Sequence, residues 1–136
     1  MSYRESDFQS EFTKWLRTKA EELGMGYTFG YDLKITKTNS MPFTAVKPHQ
    51  ITSLKKTKHG CIRHKISDQA VGFKPFDGMQ ICNSPAYLII LYYKKGDRKV
   101  MYFVDIDDYI SFVGDKSRGG LPEETAKTMA KHIFIL

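Results

Sequence analysis

Asp32 and Lys34 stand two residues apart in the segment 27–36. With the two-residue period of a strand, Tyr27, Phe29, Tyr31, Leu33 and Ile35 share one face, and Thr28, Gly30, Asp32, Lys34 and Thr36 share the other. Burial of the apolar face then presents a carboxylate and an ammonium side by side. A carboxylate binds a hard divalent cation; a neighbouring ammonium orients an attacking water or offsets charge developing on a phosphate. Read alone, D-x-K is also a common surface ion pair. Asp77, in Lys74-Pro75-Phe76-Asp77, stands at the mouth of another strand and could bring a second carboxylate to the same cation. The same tetrapeptide also reads as a proline turn with a capping aspartate. Magnesium takes one or two protein carboxylates and keeps several waters, so such a pair would suffice. Glu11 lies three residues after Phe8 and four before Trp15. On a helix that puts it on or beside the apolar stripe, from which a carboxylate can be handed into an internal site.

These residues need elements to position them. Ser6-Asp7 suits the cap of a first helix running to about Leu23, with Gly24 and Gly26 as its stop and Phe8, Phe12, Trp15 and Leu16 on its apolar stripe. The Asp32/Lys34 strand follows, then a polar turn at Thr38-Asn39-Ser40. Pro48 opens a second helix over about 47–59, closed by Gly60, with Ile51 and Leu54 facing the core. Short strands are expected at 62–66 and 76–82. A near-continuous apolar run at 86–93 reads as a central strand, and Lys94-Lys95-Gly96-Asp97 turns it back into another at 100–106. Residues 107–113 form a helical turn or edge segment, and Pro122-Glu123-Glu124 opens a last helix to about Lys131. Helix, strand, helix and then several strands predict an α/β or α+β domain around one mixed sheet, a single domain over 1–136.

Charge adds a direction. Nine Lys or Arg residues fall between Lys34 and Lys74, against one acid, Asp68, while the other fourteen acids are spread over the two ends. Beyond Lys34 itself these are Lys37, Lys47, Lys55, Lys56, Lys58, Arg63, Lys65 and Lys74. A concentrated basic segment is the electrostatic footprint of a polyanion partner, most often nucleic acid, although a solvated lysine-rich face looks the same in sequence. His49, His59 and His64 share the segment without metal-ligand spacing to any cysteine and read as backbone contacts or surface residues. Asp105, Asp107 and Asp108 lack the spacing and glycine of a calcium loop.

At 41% hydrophobic and 13% aromatic residues, the 136-residue chain has enough apolar content for a core and too much for disorder. No run approaches the roughly 20 apolar residues of a membrane span. The first residues are polar, unlike a signal peptide. Cys61 and Cys82 make neither a disulfide framework nor a zinc site, so a reducing, cytoplasmic setting is expected.

Taken together, the chain resembles the PD-(D/E)xK nuclease superfamily, and within it the phage-type and RecU-like Holliday-junction resolvases. The resemblance is carried by Glu11 on the first helix, by Pro75-Phe76-Asp77 for the P-D element and by Asp32-Leu33-Lys34 for (D/E)-x-K. Lys34-Ile35-Thr36-Lys37, Met41-Pro42-Phe43 and His49-Gln50 look like the segment after the catalytic strand, where a glutamine-bearing helix follows. Two features depart from the pattern. Asp32 replaces the usual glutamate, one methylene shorter, and the P-D element follows (D/E)-x-K instead of preceding it. If Asp77 is structural, Asp68 becomes the candidate for the second metal carboxylate. The resemblance implies a restriction-endonuclease-like core and a Mg2+-dependent endonuclease, with Mn2+ able to substitute. Asp32, Asp77, Glu11 and Asp68 would form or orient the metal shell. Lys34 would act on the transition state, and Gln50 would touch the phosphate or the water. It further implies a homodimer acting on four-way DNA junctions during recombination, in the cytoplasm of a bacterial or phage-infected cell. Two other readings stand beside it: a nicking or repair endonuclease of the same superfamily, and a non-catalytic nucleic-acid-binding module.

Overall fold

Seven consecutive residues, Ala86–Tyr92, are buried on both faces and form the strand about which the chain is organised. The computed structural model describes residues 2–22, 28–67, 74–116 and 118–136. In chain order its elements are α1 (Glu5–Glu22), β1 (Gly30–Thr36), β2 (Ser40–Pro42), α2 (Pro48–His59), β3 (Cys61–Lys65), β4 (Gly78–Cys82), β5 (Ala86–Tyr92), β6 (Val100–Asp105), α3 (Ile106–Val113), β7 (Gly120–Pro122), α4 (Glu123–Met129) and β8 (His132–Ile135). A single 3-10 turn, Phe43–Ala45, precedes α2.

The main sheet has the order β1-β5-β6-β8. β1 pairs parallel with β5, whereas β5–β6 and β6–β8 are antiparallel. It is therefore mixed, as expected, and the molecule is α+β, with four α-helices among the described residues. Alternation along β5 sorts the core into two layers. Tyr87, Ile89 and Leu91 join Met101 and Phe103 under Phe8, Phe12 and Trp15 of α1. Ala86, Leu88, Ile90 and Tyr92 face the other way, into a layer with Leu54 of α2, Ile106 and Tyr109 of α3 and Ala126 of α4. Burial at both faces explains why β5 shows no polar alternation.

α1 begins at Glu5, and the Asp7 carboxylate reaches back to accept the Arg4 N–H at 2.7 Å, so Asp7 caps from within the first turn. The expected stop at Gly24 and Gly26 lies outside the described residues. α3 is a full helix whose N-cap, Asp105, accepts the Asp107 N–H at 2.8 Å. β2, β7 and β8 were not expected. β2 and β7 are three residues each and form a separate antiparallel pair, too short for a periodic signal. β8 alternates His132 and Phe134, which face α1, with Ile133 and Ile135, which are exposed.

β3 and β4 form their own antiparallel hairpin beside α2. Its register sets Cys61 opposite Cys82, and the two are joined as a disulfide with 4.1 Å between Cα atoms. This corrects the reading of two unpaired thiols. The cysteines are 21 residues apart in sequence, and only the fold-back of the hairpin makes them neighbours. The cysteine count accordingly no longer argues for a reducing compartment. Among the described residues, no helix is long and apolar enough to cross a membrane.

Candidate metal and nucleic-acid site

β1 is an outer strand of the main sheet, and its register places Asp32 beside Leu88 and Lys34 beside Ile90. Asp32 and Lys34 thus lie on the α2 side, while Leu33 and Ile35 face α1. This is the division read from the sequence for the described positions, although Tyr31 on the α1 side remains exposed; Tyr27 lies outside them. α2 lies against β1, and at Gly30 an added Cβ would stand 3.0 Å from Thr57 Cγ2. The strand entry is held by Gly30 N–H donating to Pro85 O at 2.8 Å.

Lys34 is only 8% exposed, unusual for a lysine, and its Nζ stands 3.5 Å from Asp32 Oδ2. That oxygen is itself buried and accepts no hydrogen bond. The pair is therefore a long ion contact in which one carboxylate oxygen lacks the donor that burial normally demands. At the outer edge of β1 a cleft of about 320 Å³ is lined by Gln9, Thr13, Tyr31, Asp32 and Leu33. Gln9 and Thr13 escaped the sequence reading. They are exposed helix residues, distinguished only by the strand edge that the fold lays beside them.

The other expected ligands are elsewhere. Glu11 is on α1, across the sheet from Asp32, and accepts from Lys99 Nζ at 2.9 and 3.2 Å. Lys99 also lies 4.5 Å from the Tyr3 ring centroid, so Glu11 fastens α1 to the β5–β6 turn. The helical-stripe argument placed Glu11 at the edge of the apolar face correctly; its partner comes from 88 residues further along, beyond any local pattern. Asp77 is on the separate hairpin, its side chain 98% exposed, with Lys74 Nζ at 3.4 Å. It precedes β4, and its carbonyl accepts from Ile66 N–H at 2.8 Å, which carries the β3–β4 pairing one residue further. Asp68 lies outside the described residues. Gln50 occupies the first turn of α2, where its Oε1 accepts the Lys47 N–H at 2.9 Å and caps the helix. Of the residues expected to converge, the structure brings together Asp32 and Lys34. Among the described residues no group of three or more His, Cys, Asp or Glu is placed to hold a metal ion.

The basic residues fall on several elements. Lys37 follows β1 and contacts Ser2 Oγ. Lys47 precedes α2, Lys55 and Lys56 project from it, and Arg63 and Lys65 stand on the hairpin; all are exposed. Lys58 is different. Its Nζ lies 2.8 Å from Asp105 and 2.7 Å from Asp107, and Asp107 also meets His59 Nε2 at 2.8 Å. Burial alone would lower the Lys58 pKa, but the hydrogen bonds to Asp105 and Asp107 outweigh it and raise it above 10.5. The Lys58 hydrogen bond in turn holds the Asp107 carboxyl below 3.8, against partial burial and with help from His59. Lys58 thus joins α2 to α3, a role that removes it from the set of ready phosphate contacts.

No family model, no curated protein and no solved structure matches the chain.

Proposed function

We propose that this protein is a divalent-metal-dependent, structure-selective DNA endonuclease built on a restriction-endonuclease-like core, with four-way junctions as its substrate. The observation that carries the reading is the buried, hydrogen-bond-free Oδ2 of Asp32 beside the buried ammonium of Lys34. An unsatisfied buried acceptor costs about 1–3 kcal/mol, more when charged. A cation bound at that oxygen offsets this cost, and a carboxylate oxygen is the donor a hard cation takes. One protein carboxylate completed by waters and substrate oxygens is an ordinary magnesium arrangement, so the residues present fit the group.

Asp32 would hold a Mg2+ or Mn2+ ion at the edge of the sheet, and the ion would supply Lewis-acid polarisation of the phosphodiester and an acidified water. Lys34 donates towards the scissile phosphate, where negative charge grows in the transition state. The sheet and α2 fix both side chains before substrate arrives, so little reorganisation is needed. Lys37, Lys47, Lys55, Lys56, Arg63 and Lys65 contact phosphates and hold the DNA arms by shape rather than by sequence. Symmetric cutting of a four-way junction requires two such sites, supplied by a two-fold homodimer.

A second reading, a nucleic-acid-binding module without catalysis, is favoured by the placement of Glu11 and Asp77 away from Asp32. Metal-dependent cleavage of a labelled four-way junction, compared with linear duplex and single strand, separates the two. Asp32→Asn abolishes cleavage and leaves junction binding unchanged or tighter, because an amide is a poor ligand for a hard cation while a lost negative charge beside phosphate removes repulsion. Full activity in Asp32→Asn, or no metal-dependent cleavage by the native protein, rejects the nuclease.

A further inference from the structure

The β3–β4 hairpin combines features that the main sheet does not require. Among the described residues it forms no pairs with the main sheet, and of the helices it packs chiefly on α2. A lone two-stranded ribbon is marginal in water, and here the Cys61–Cys82 bond closes its base. Its outward positions carry Arg63 and Lys65, with Lys74 at the start of the returning segment. Two large apolar side chains are left in solvent, Phe76 at 50% exposure and Met79 at 42%. Met79 lies opposite His64 and lines, with Arg63, His64, Lys65 and Lys74, a cleft of about 660 Å³. Arg63 donates Nε and Nη2 to Gln80 Oε1 at 3.3 and 3.0 Å, which fixes the plane of its guanidinium.

We propose that this hairpin is a nucleic-acid-binding arm that takes unpaired nucleotides, with a base against Phe76 and the flanking phosphates against Arg63 and Lys65. The proposal rests on the nuclease reading only in assuming a nucleic-acid partner. Positive charge beside an exposed aromatic is the combination by which proteins hold single strands. A duplex hides the faces of its bases, so Phe76 has a stacking partner only where bases are unpaired, as at a branch point. The one acid of the described arm, Asp77, sits beside Lys74 and does not reverse the sign of the surface.

Binding is measured by fluorescence anisotropy with labelled oligothymidylate, longer than the roughly 4–16-nucleotide footprint of comparable sites, and with a duplex of equal length. A chelator is present throughout, so the result is independent of any cleavage. Phe76→Ala weakens the single strand by about 5- to 150-fold, equivalent to the 1–3 kcal/mol of one base–aromatic stack, and leaves duplex binding within about twofold. Phe76→Trp retains single-strand affinity. The double change Arg63→Ala, Lys65→Ala weakens both forms and flattens the salt dependence. Unchanged single-strand binding in Phe76→Ala, or an equal loss on duplex, overturns the proposal. So does displacement by poly-glutamate as effective as by unlabelled oligothymidylate, which would make the arm a site for acidic protein surfaces. Loss of cleavage in Asp32→Asn with these binding results intact supports both readings; absence of cleavage in every protein rejects the nuclease and leaves the arm standing.

Discussion

Loss of the Lys34 ammonium leaves the buried Asp32 Oδ2 without the positive charge 3.5 Å away, so Lys34 has a structural burden as well as its proposed chemical one. Lys34→Met, which keeps the aliphatic stem, is expected to lower unfolding stability by about 1–3 kcal/mol, measured by urea denaturation, and to lower the cleavage rate by orders of magnitude. Loss of rate without loss of binding assigns the ammonium to the transition state; a variant that cleaves normally makes the pair structural only. A ligand for the native state stabilises it by about 2.7 kcal/mol at one hundred times its Kd. Magnesium should therefore raise the thermal midpoint of the native protein, and Asp32→Asn should abolish that rise. An equal rise in both proteins moves the metal away from Asp32. At this scale the alternation of Phe29, Leu33 and Ile35 against Asp32 and Lys34 was legible, because a two-residue period is a local property. The absence of a hydrogen bond at Oδ2 was not, since it depends on what β5 and α2 bring alongside.

Between elements, the join of α2 to α3 through Lys58, His59, Asp105 and Asp107 makes a pH-dependent prediction. The Asp107 carboxyl is held below its ordinary 3.8, so its contribution is fully present above that value and is lost as pH falls through the lower folded value. Lys58 is raised above 10.5, so its contribution is present below 10.5 and is lost as pH rises through the higher folded value. The stability gap between native protein and Asp107→Asn should be present at about pH 5 and shrink as pH falls below 3.8. Its size should stay below about 1 kcal/mol, because the pair is partly solvated. A gap that does not narrow between about pH 5 and 2.5 would show that the substitution disturbs packing instead. The helix spans were legible from Pro48, Gly60 and the apolar spacing. The diversion of Lys58 was not, because Asp105 and Asp107 lie across the fold and a sequence shows nine cations as equivalent.

For the molecule as a whole, a sheet covered on both faces contains two cores that share only a backbone. Leu88 belongs to the layer with α2, α3 and α4, and its neighbour Ile89 to the layer with α1. Leu88→Ala and Ile89→Ala should each cost about 2–5 kcal/mol. Because the two side chains point into different layers, the double variant should be additive to within about 0.5 kcal/mol by chemical denaturation. A larger coupling would mean that the layers yield together. The central strand was legible from the apolar run at 86–93 and the mixed sheet from the order of helices and strands, while the pairing partners were not. β8 is a four-residue strand at the chain's last described residues, and its place beside β6 is decided by Phe134 packing on Phe103 and Trp15. The Cys61–Cys82 bond has a consequence at the same scale. Every peptide bond between those residues lies inside a covalent ring, so a protease cut after Arg63, Lys65 or Lys74 severs the chain without dividing the molecule. The clipped protein should travel as one species in a non-reducing gel and separate into two only after reduction. New chain ends opened inside that ring, with the original ones joined by a linker, would leave β3 and β4 tied at their base.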